Sequence, residues 1–204
     1  DTSNYTTSMA AFDGVSGENQ SSLLPVPPGE LGLRQSDALF FHVKGLPELA
    51  GRLFSHVDGN DVRAVGVSTR PRAVEGSYMP CFLAGVCLAE TVAALRRVPL
   101  VQVSHQQGHL AAAAWSAGRL DLLDRPFLAW HLSGGTTELL HVAPQGWNLA
   151  CTRIGGTTDI SAGQRIDRTG RLLGLPVPSG KELDRLSRDG GQPEGFRVRC
   201  PELE

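Results

Sequence analysis

His105 and His109 lie four residues apart in the run Ser104-His105-Gln106-Gln107-Gly108-His109-Leu110. Residues so spaced share one face of a helix, and two imidazoles on one face can bind a single divalent cation. The bland alternative is a helix with two half-exposed histidines, and Gly108 weakens the helical reading. Three further segments bear on the choice. Ser133-Gly134-Gly135-Thr136-Thr137 lets a backbone approach a ligand and can form an anion nest, or it is a Gly-Gly hairpin turn. Asp1 to Ser8 is rich in hydroxyls, which suits phosphate contact or an exposed threonine-rich hairpin. Gly155 to Arg168 places Gly-Gly after a strand and Thr/Asp before a helix, a helix start that attracts anions. Asp167 in that helix stands among Arg165, Arg168 and Arg171, where surface ion pairing is the plain alternative.

The elements that must position these residues follow from periodicity. Asp1-Thr2-Ser3 and Thr7 to Phe12 read as a strand pair about a polar turn. Residues 14 to 35 contain three prolines (Pro25, Pro27, Pro28) and read as loops or edge strands. Ser36 and Asp37 can cap a helix over Ala38 to Lys44. Pro47, at a first-turn position, fits a continuing helical stretch to Val57 with Leu49, Leu53 and Val57 as its stripe. Val62 to Val67 is a strand, 69 to 80 a loop, and Phe82 to Arg97 a helix marked by Leu83, Val86, Cys87, Glu90 and Ala94. Leu100 to Val103, Phe127 to Leu132, Glu138 to Val142 and Leu149 to Ile154 are strands, and Asp159 to Leu173 is a helix. The tail after it carries no closing element. The pattern is α/β with a mixed sheet flanked by helices.

The chain of 204 residues has a formal net charge of −2. It has no broad basic footprint for autonomous nucleic-acid binding, although a local patch or partner can supply one. Cys81, Cys87, Cys151 and Cys200 make no CxxC and no disulfide framework, which fits a reducing, cytoplasmic setting. No signal peptide or membrane-length apolar run is evident, so no membrane partner is expected. The chain opens on Asp1 as though inside a strand, and the reading is of an N-terminal portion of a longer protein.

Taken in order, these segments resemble the tRNA threonylcarbamoyladenosine synthase family, formerly filed as O-sialoglycoprotein endopeptidase or glycoprotease. The resemblance runs from Asp1-Thr2-Ser3 to Leu173-Gly174-Leu175-Pro176 and Pro178-Ser179-Gly180. It implies an actin-like, sugar-kinase-like ATPase fold of the ribonuclease H-like kind. Residues 1–154 would be the N-terminal lobe with the metal-binding histidines. Residues 155–204 would begin a second, helical lobe that is largely missing. The implied activity is transfer of a threonylcarbamoyl group from its adenylate to a tRNA adenosine. His105 and His109 match the family's two ligands to an iron or zinc ion. Leu132, Ser133, Gly134, Gly135 and Thr136 match the loop that contacts the adenylate, where the family commonly has histidine at position 136. Asp167 matches a helical aspartate that contacts the nucleoside, and Gly180 a glycine lining the same cleft. The implied substrates and partners are threonylcarbamoyl-adenylate or ATP, tRNA with partner proteins, and a second subunit in a homo- or heterodimer.

The departures define the alternatives. The family opens with an acidic residue and Thr-Ser-Cys-Asp-Glu-Thr; this chain has Asn4, Tyr5 and Thr6 in place of Cys, Asp and Glu. Gln107 replaces a glutamate between the histidines. Thr69 to Tyr78 is longer and more basic than the family's Thr-x-Gly-Pro-Gly segment. The third ligand, an aspartate, belongs to a later lobe. This is the pattern of a divergent, paralogous branch, and no catalytic base can be named. A carbamoyl or threonylcarbamoyl transferase, with tRNA or a small molecule as acceptor, is therefore weighed against a catalytically silent scaffold that dimerises with an active relative. A metalloprotease ranks last, because HExxH chemistry needs a glutamate that Gln106-Gln107-Gly108 does not supply.

Overall fold

A computed structural model describes residues 1–3, 5–26 and 33–190. Its packing divides the chain into two units. The first comprises Asp1–Phe127 with Val142–Cys151; the second comprises Leu128–His141 and the described residues from Thr152 onward.

In the first unit β1 (Thr6–Phe12) pairs antiparallel with β2 (Gly17–Leu23), with Thr7 opposite Ser22. On the other edge of β1, Asp1 and Ser8 exchange both backbone bonds, at 2.8 and 2.9 Å. Asp1–Ser3 is nevertheless not a strand, where one was expected; the partner of β1 is the strand formed by residues 17 to 23. Asn4 and Pro27–Pro28 lie outside the described residues.

Helix α1 (Gln35–Leu53) is continuous through Pro47 and ends at Leu53, short of the expected Val57. Its buried stripe of Ala38, His42, Leu46, Leu49 and Leu53 keeps helical spacing across the proline. Pro47 sits on the exposed side, where the carbonyl it leaves unpaired can be hydrated. Neither Ser36 nor Asp37 caps the helix: the N-cap is Arg34, with no side-chain cap bond.

Strand β3 (Val65–Arg70) runs parallel to β4 (Leu100–Ser104), connected through α2 (Phe82–Arg96) as a crossover. The buried face of α2 is Phe82, Ala84, Gly85, Ala89 and Ala93; Leu83, Cys87, Glu90 and Ala94 are exposed. The expected stripe was therefore the wrong one. Thr2 explains the choice: its Oγ1 accepts the Gly85 N–H at 3.1 Å, and a methyl on Gly85 would come within 2.9 Å of that oxygen. Close approach selects the small-residue face over the bulky one.

Helix α3 (His105–Ser116) follows β4 directly. Strands β5 (Phe127–Leu132), β6 (Thr137–Gln145) and β7 (Asn148–Gly156) form a sheet in that order. The α/β class is as expected, but the described strands make three separate sheets and not one mixed sheet. In the second unit α4 (Ala162–Leu172) begins three residues later than expected, capped by Ser161, whose hydroxyl accepts the Gln164 N–H. Helix α5 (Gly180–Asp189) was missed; its sequence is dominated by charges and carries few apolar residues to mark a stripe. Among the described residues, no helix is long and apolar enough to cross a membrane.

His42 is fully buried in α1, with Nδ1 2.7 Å from the Thr7 hydroxyl and Nε2 without a partner among the described residues. Burial pushes its pKa down to about 4, against roughly 6.5 in an unfolded chain. The unfolded chain thus binds the proton more tightly between these values. Stability is full above roughly pH 6.5 and falls as pH drops toward the folded value, by up to about 3 kcal/mol. Urea midpoints measured across that range are expected to decline, and a His42→Gln variant to show a flatter profile; parallel profiles would refute this assignment.

Candidate metal centre and glycine turn

Ser104 opens α3 with a capping box: its hydroxyl accepts the Gln107 N–H, and the Gln107 side-chain oxygen accepts the Ser104 N–H at 2.6 Å. This Ser-x-x-Gln signal was present in the sequence and overcomes the cost of Gly108. The cap fixes the first helical turn, so that His105 and His109 emerge on one side of it. Their Nε2 atoms are 2.8 Å apart, and the ring centroids are 4.2 Å apart at an interplanar angle of 76°. The rings of His105 and buried Phe82 meet in a T-shaped arrangement, with centroids 6.3 Å apart.

Asp1 supplies the residue that sequence reasoning missed. Its Oδ2 lies 2.8 Å from His105 Nδ1, while its Oδ1 accepts the Ser3 N–H at 2.6 Å. Only the fold brings together residues 104 positions apart in the sequence. A carboxylate on Nδ1 holds the proton there and leaves Nε2 as the lone-pair nitrogen, the tautomer a metal ligand requires. Burial holds the His105 pKa below its usual value, which also favours the neutral ring.

These residues fit a divalent cation. Two imidazole nitrogens on a tetrahedral ion stand about 3.3 Å apart, given metal–nitrogen bonds of about 2.05 Å, so a small rotation of either ring accommodates it. No group of three His, Cys, Asp or Glu side chains suited to a metal occurs among the described residues. The pair is therefore an incomplete ligand set.

Gln107 does not face this pair. It is buried, and its Nε2 donates to the Leu149 carbonyl at 2.6 Å while its oxygen closes the capping box. A carboxylate there would set an acceptor against an acceptor. Gln107→Glu is expected to cost about 2 kcal/mol near neutral pH, with the loss shrinking in acid as the carboxyl regains a donor. Denaturant titration at two pH values checks this; equal stability at both would refute it. The position is structural, so it supplies no protease-type base.

In the second unit, Ser133 organises the turn between β5 and β6. Its hydroxyl accepts the N–H groups of Gly135 at 3.2 Å and Thr136 at 3.0 Å, and lies 2.8 Å from the Thr136 hydroxyl. The Gly135 donor, expected to be open to an anion, is thus already used. The Gly134 N–H has no partner among the described residues. A Cβ on Gly134 or Gly135 would meet nothing within 4 Å, so local packing requires glycine at neither.

The α4 start docks on this turn. Gly163 N–H donates to the Ser133 carbonyl at 3.1 Å, Ala162 N–H to Thr137 Oγ1 at 2.7 Å, and the Ser161 hydroxyl to the Gly134 carbonyl. These donors are consumed within the protein, so the expected anion-attracting helix end is occupied by the turn itself. Further along α4, Asp167 Oδ1 accepts the Ser179 N–H at 2.8 Å, and a Cβ on Gly180 would lie 3.7 Å from Ile166. The fold thus gathers Leu132 to Thr136 with the α4 start, and Asp167 with Gly180. Asp167 Oδ2 has no partner among the described residues. Asp167 bonds to backbone and makes no ion pair with Arg165, Arg168 or Arg171.

A sequence model described as tRNA N6-adenosine threonylcarbamoyltransferase matches residues 36–203. The chain belongs to that family. A relative bearing this description in Lacticaseibacillus casei is 39% identical over 131 residues, covering 64% of this chain and 35% of its own length. One in Geobacter sulfurreducens is 34% identical over 168 residues, covering 79% of this chain and 44% of its own. The chain therefore spans less than half the length of these threonylcarbamoyltransferase relatives. Among solved structures, YeaZ from Pseudomonas aeruginosa aligns at a TM-score of 0.46 and 13% identity, covering 79% of this chain and 65% of that one.

Proposed function

We propose that the chain is the metal- and adenylate-binding portion of a tRNA N6-adenosine threonylcarbamoyltransferase with an actin-like fold. The observation that carries this reading is the convergence of His105 and His109 Nε2 atoms with Asp1 behind His105. His105 and His109 would hold one iron or zinc ion, which when bound supplies Lewis-acid polarisation and a template for the acyl donor. Asp1 orients His105 and keeps its proton on Nδ1. Gly134 and Gly135 leave room for a ligand beside their Cα atoms, and the Gly134 N–H, unpaired among the described residues, can donate to it. Asp167, held by Ser179, offers its second oxygen to a hydroxyl of the nucleoside. The acceptor is an adenosine amine of tRNA, and assembly with a second subunit in the cytoplasm belongs to the same proposal.

The test is reconstitution of the full-length gene product with threonylcarbamoyl-adenylate, tRNA transcript and its partner proteins, scored by modified adenosine. Product is expected with iron or zinc and its loss on chelation. Gly134→Val is expected to weaken adenylate binding while leaving the melting temperature unchanged. No product with either metal, with the complete assembly present, would favour the scaffold reading.

A further inference from the structure

The two helices of the second unit treat their charges differently. Helix α5 balances Lys181, Arg185 and Arg188 with Glu182, Asp184 and Asp189. Arg185 lies 3.1 Å from Glu182 and 3.5 Å from Asp189, and Arg188 lies 2.8 Å from Asp184. Helix α4 does not balance: its single acid, Asp167, is turned to Ser179. Arg165 meets Asp159 only at 3.8 Å, with both side chains exposed, and Arg168 and Arg171 have no acidic partner among the described residues.

The packed side of α4 is fixed by its contacts. Gly163 abuts the glycine turn, Ile166 lies near Gly180, Asp167 bonds Ser179, and Gly170 lies against Ser179 and Leu183. At about 100° per residue, Arg165, Arg168 and Arg171 occupy one arc on the far side. Leu172, 88% exposed, stands within that arc.

We infer that this face of α4 is a docking surface for the phosphate backbone of the RNA substrate. The inference rests on the proposed function, which makes tRNA the acceptor, and adds where the acceptor is held. The warrant is charge complementarity: three guanidinium groups on one face of a chain that is net acidic. Arginine forks bind phosphate oxygens in pairs and position a nucleic acid without reading its sequence. Arg168 and Arg171 are positioning residues: they would hold the acceptor RNA by its phosphates.

The experiment measures Kd for an unmodified tRNA transcript at several salt concentrations, using the full-length protein. Arg168→Gln with Arg171→Gln is expected to weaken binding at least roughly tenfold. It should also reduce the slope of log K against log salt by about 1.4 to 1.8, for two lost phosphate contacts. Arg185→Gln with Arg188→Gln removes the same charge from the balanced helix, and is expected to leave both quantities unchanged. Adenylate affinity is expected to be intact in both variants. Equal losses in the two variants would mean only general attraction, and would overturn the inference. Unchanged binding in the α4 variant would overturn it too, and leave the proposed function standing. Failure of the unsubstituted protein to bind tRNA would overturn both.

Discussion

Joint replacement of His105 and His109 by alanine is expected to abolish metal binding, taking metal content from about one equivalent per chain to background. Both rings reach the surface in part, so truncation leaves no large internal cavity, and the melting temperature should change little. Asp1→Asn gives the graded case. An amide in place of the carboxylate weakens the hold on the His105 Nδ1 proton. Metal affinity is then expected to fall about 10- to 100-fold with the ring still in place. Elemental analysis and competition with a chelator read both effects. Equal metal content in the parent and the double variant would remove the site, and with it the reading built on the 2.8 Å approach of the two Nε2 atoms.

The second large effect is expected at Gly163. A Cβ there would lie 2.6 Å from the Gly134 Cα and 2.8 Å from the Ser133 carbonyl oxygen. Both are backbone atoms of a turn that Ser133 already holds closed, so neither can yield as a side chain could. Gly163→Ala must therefore lift the start of α4 off the turn. This would break the Gly163 to Ser133 bond and weaken the Ser161 and Thr137 caps. The expected cost is about 1 to 3 kcal/mol, with weakened adenylate binding as the turn loses its support. Gly134→Val should show the opposite profile, with stability kept and affinity lost. Thermal melts paired with nucleotide titrations separate the two. A Gly163→Ala protein with parental stability would show that the turn and helix are not locked together.

Much of the fold was legible because it rests on local rules. β-Branched runs mark β4 and also β3, although β3 (Val65–Arg70) lies three residues beyond the expected Val62 to Val67, and the Gly-Gly pair marks the turn after β5. The histidine pair was legible for the same reason: four-residue spacing on a helix is local geometry, and the capping box at Ser104 fixes that helix from within its own first turn. Helix α5 escaped because exposed charged residues give no apolar period. The face of α2 escaped because periodicity marks bulky stripes, whereas Thr2 selected the one lined with glycine and alanine.

The sequence by itself therefore determined most of the elements, though not α5, together with the shared face of His105 and His109 and the family to which the order of motifs points. Tertiary structure alone decided that Asp1 stands behind His105 and that Gln107 serves Leu149. It alone decided that the first donors of α4 are spent on the glycine turn. The division has a physical cause. Helical and strand periods are set by neighbours along the chain, whereas a hydrogen bond between residues 104 apart exists only once the backbone has brought them within reach.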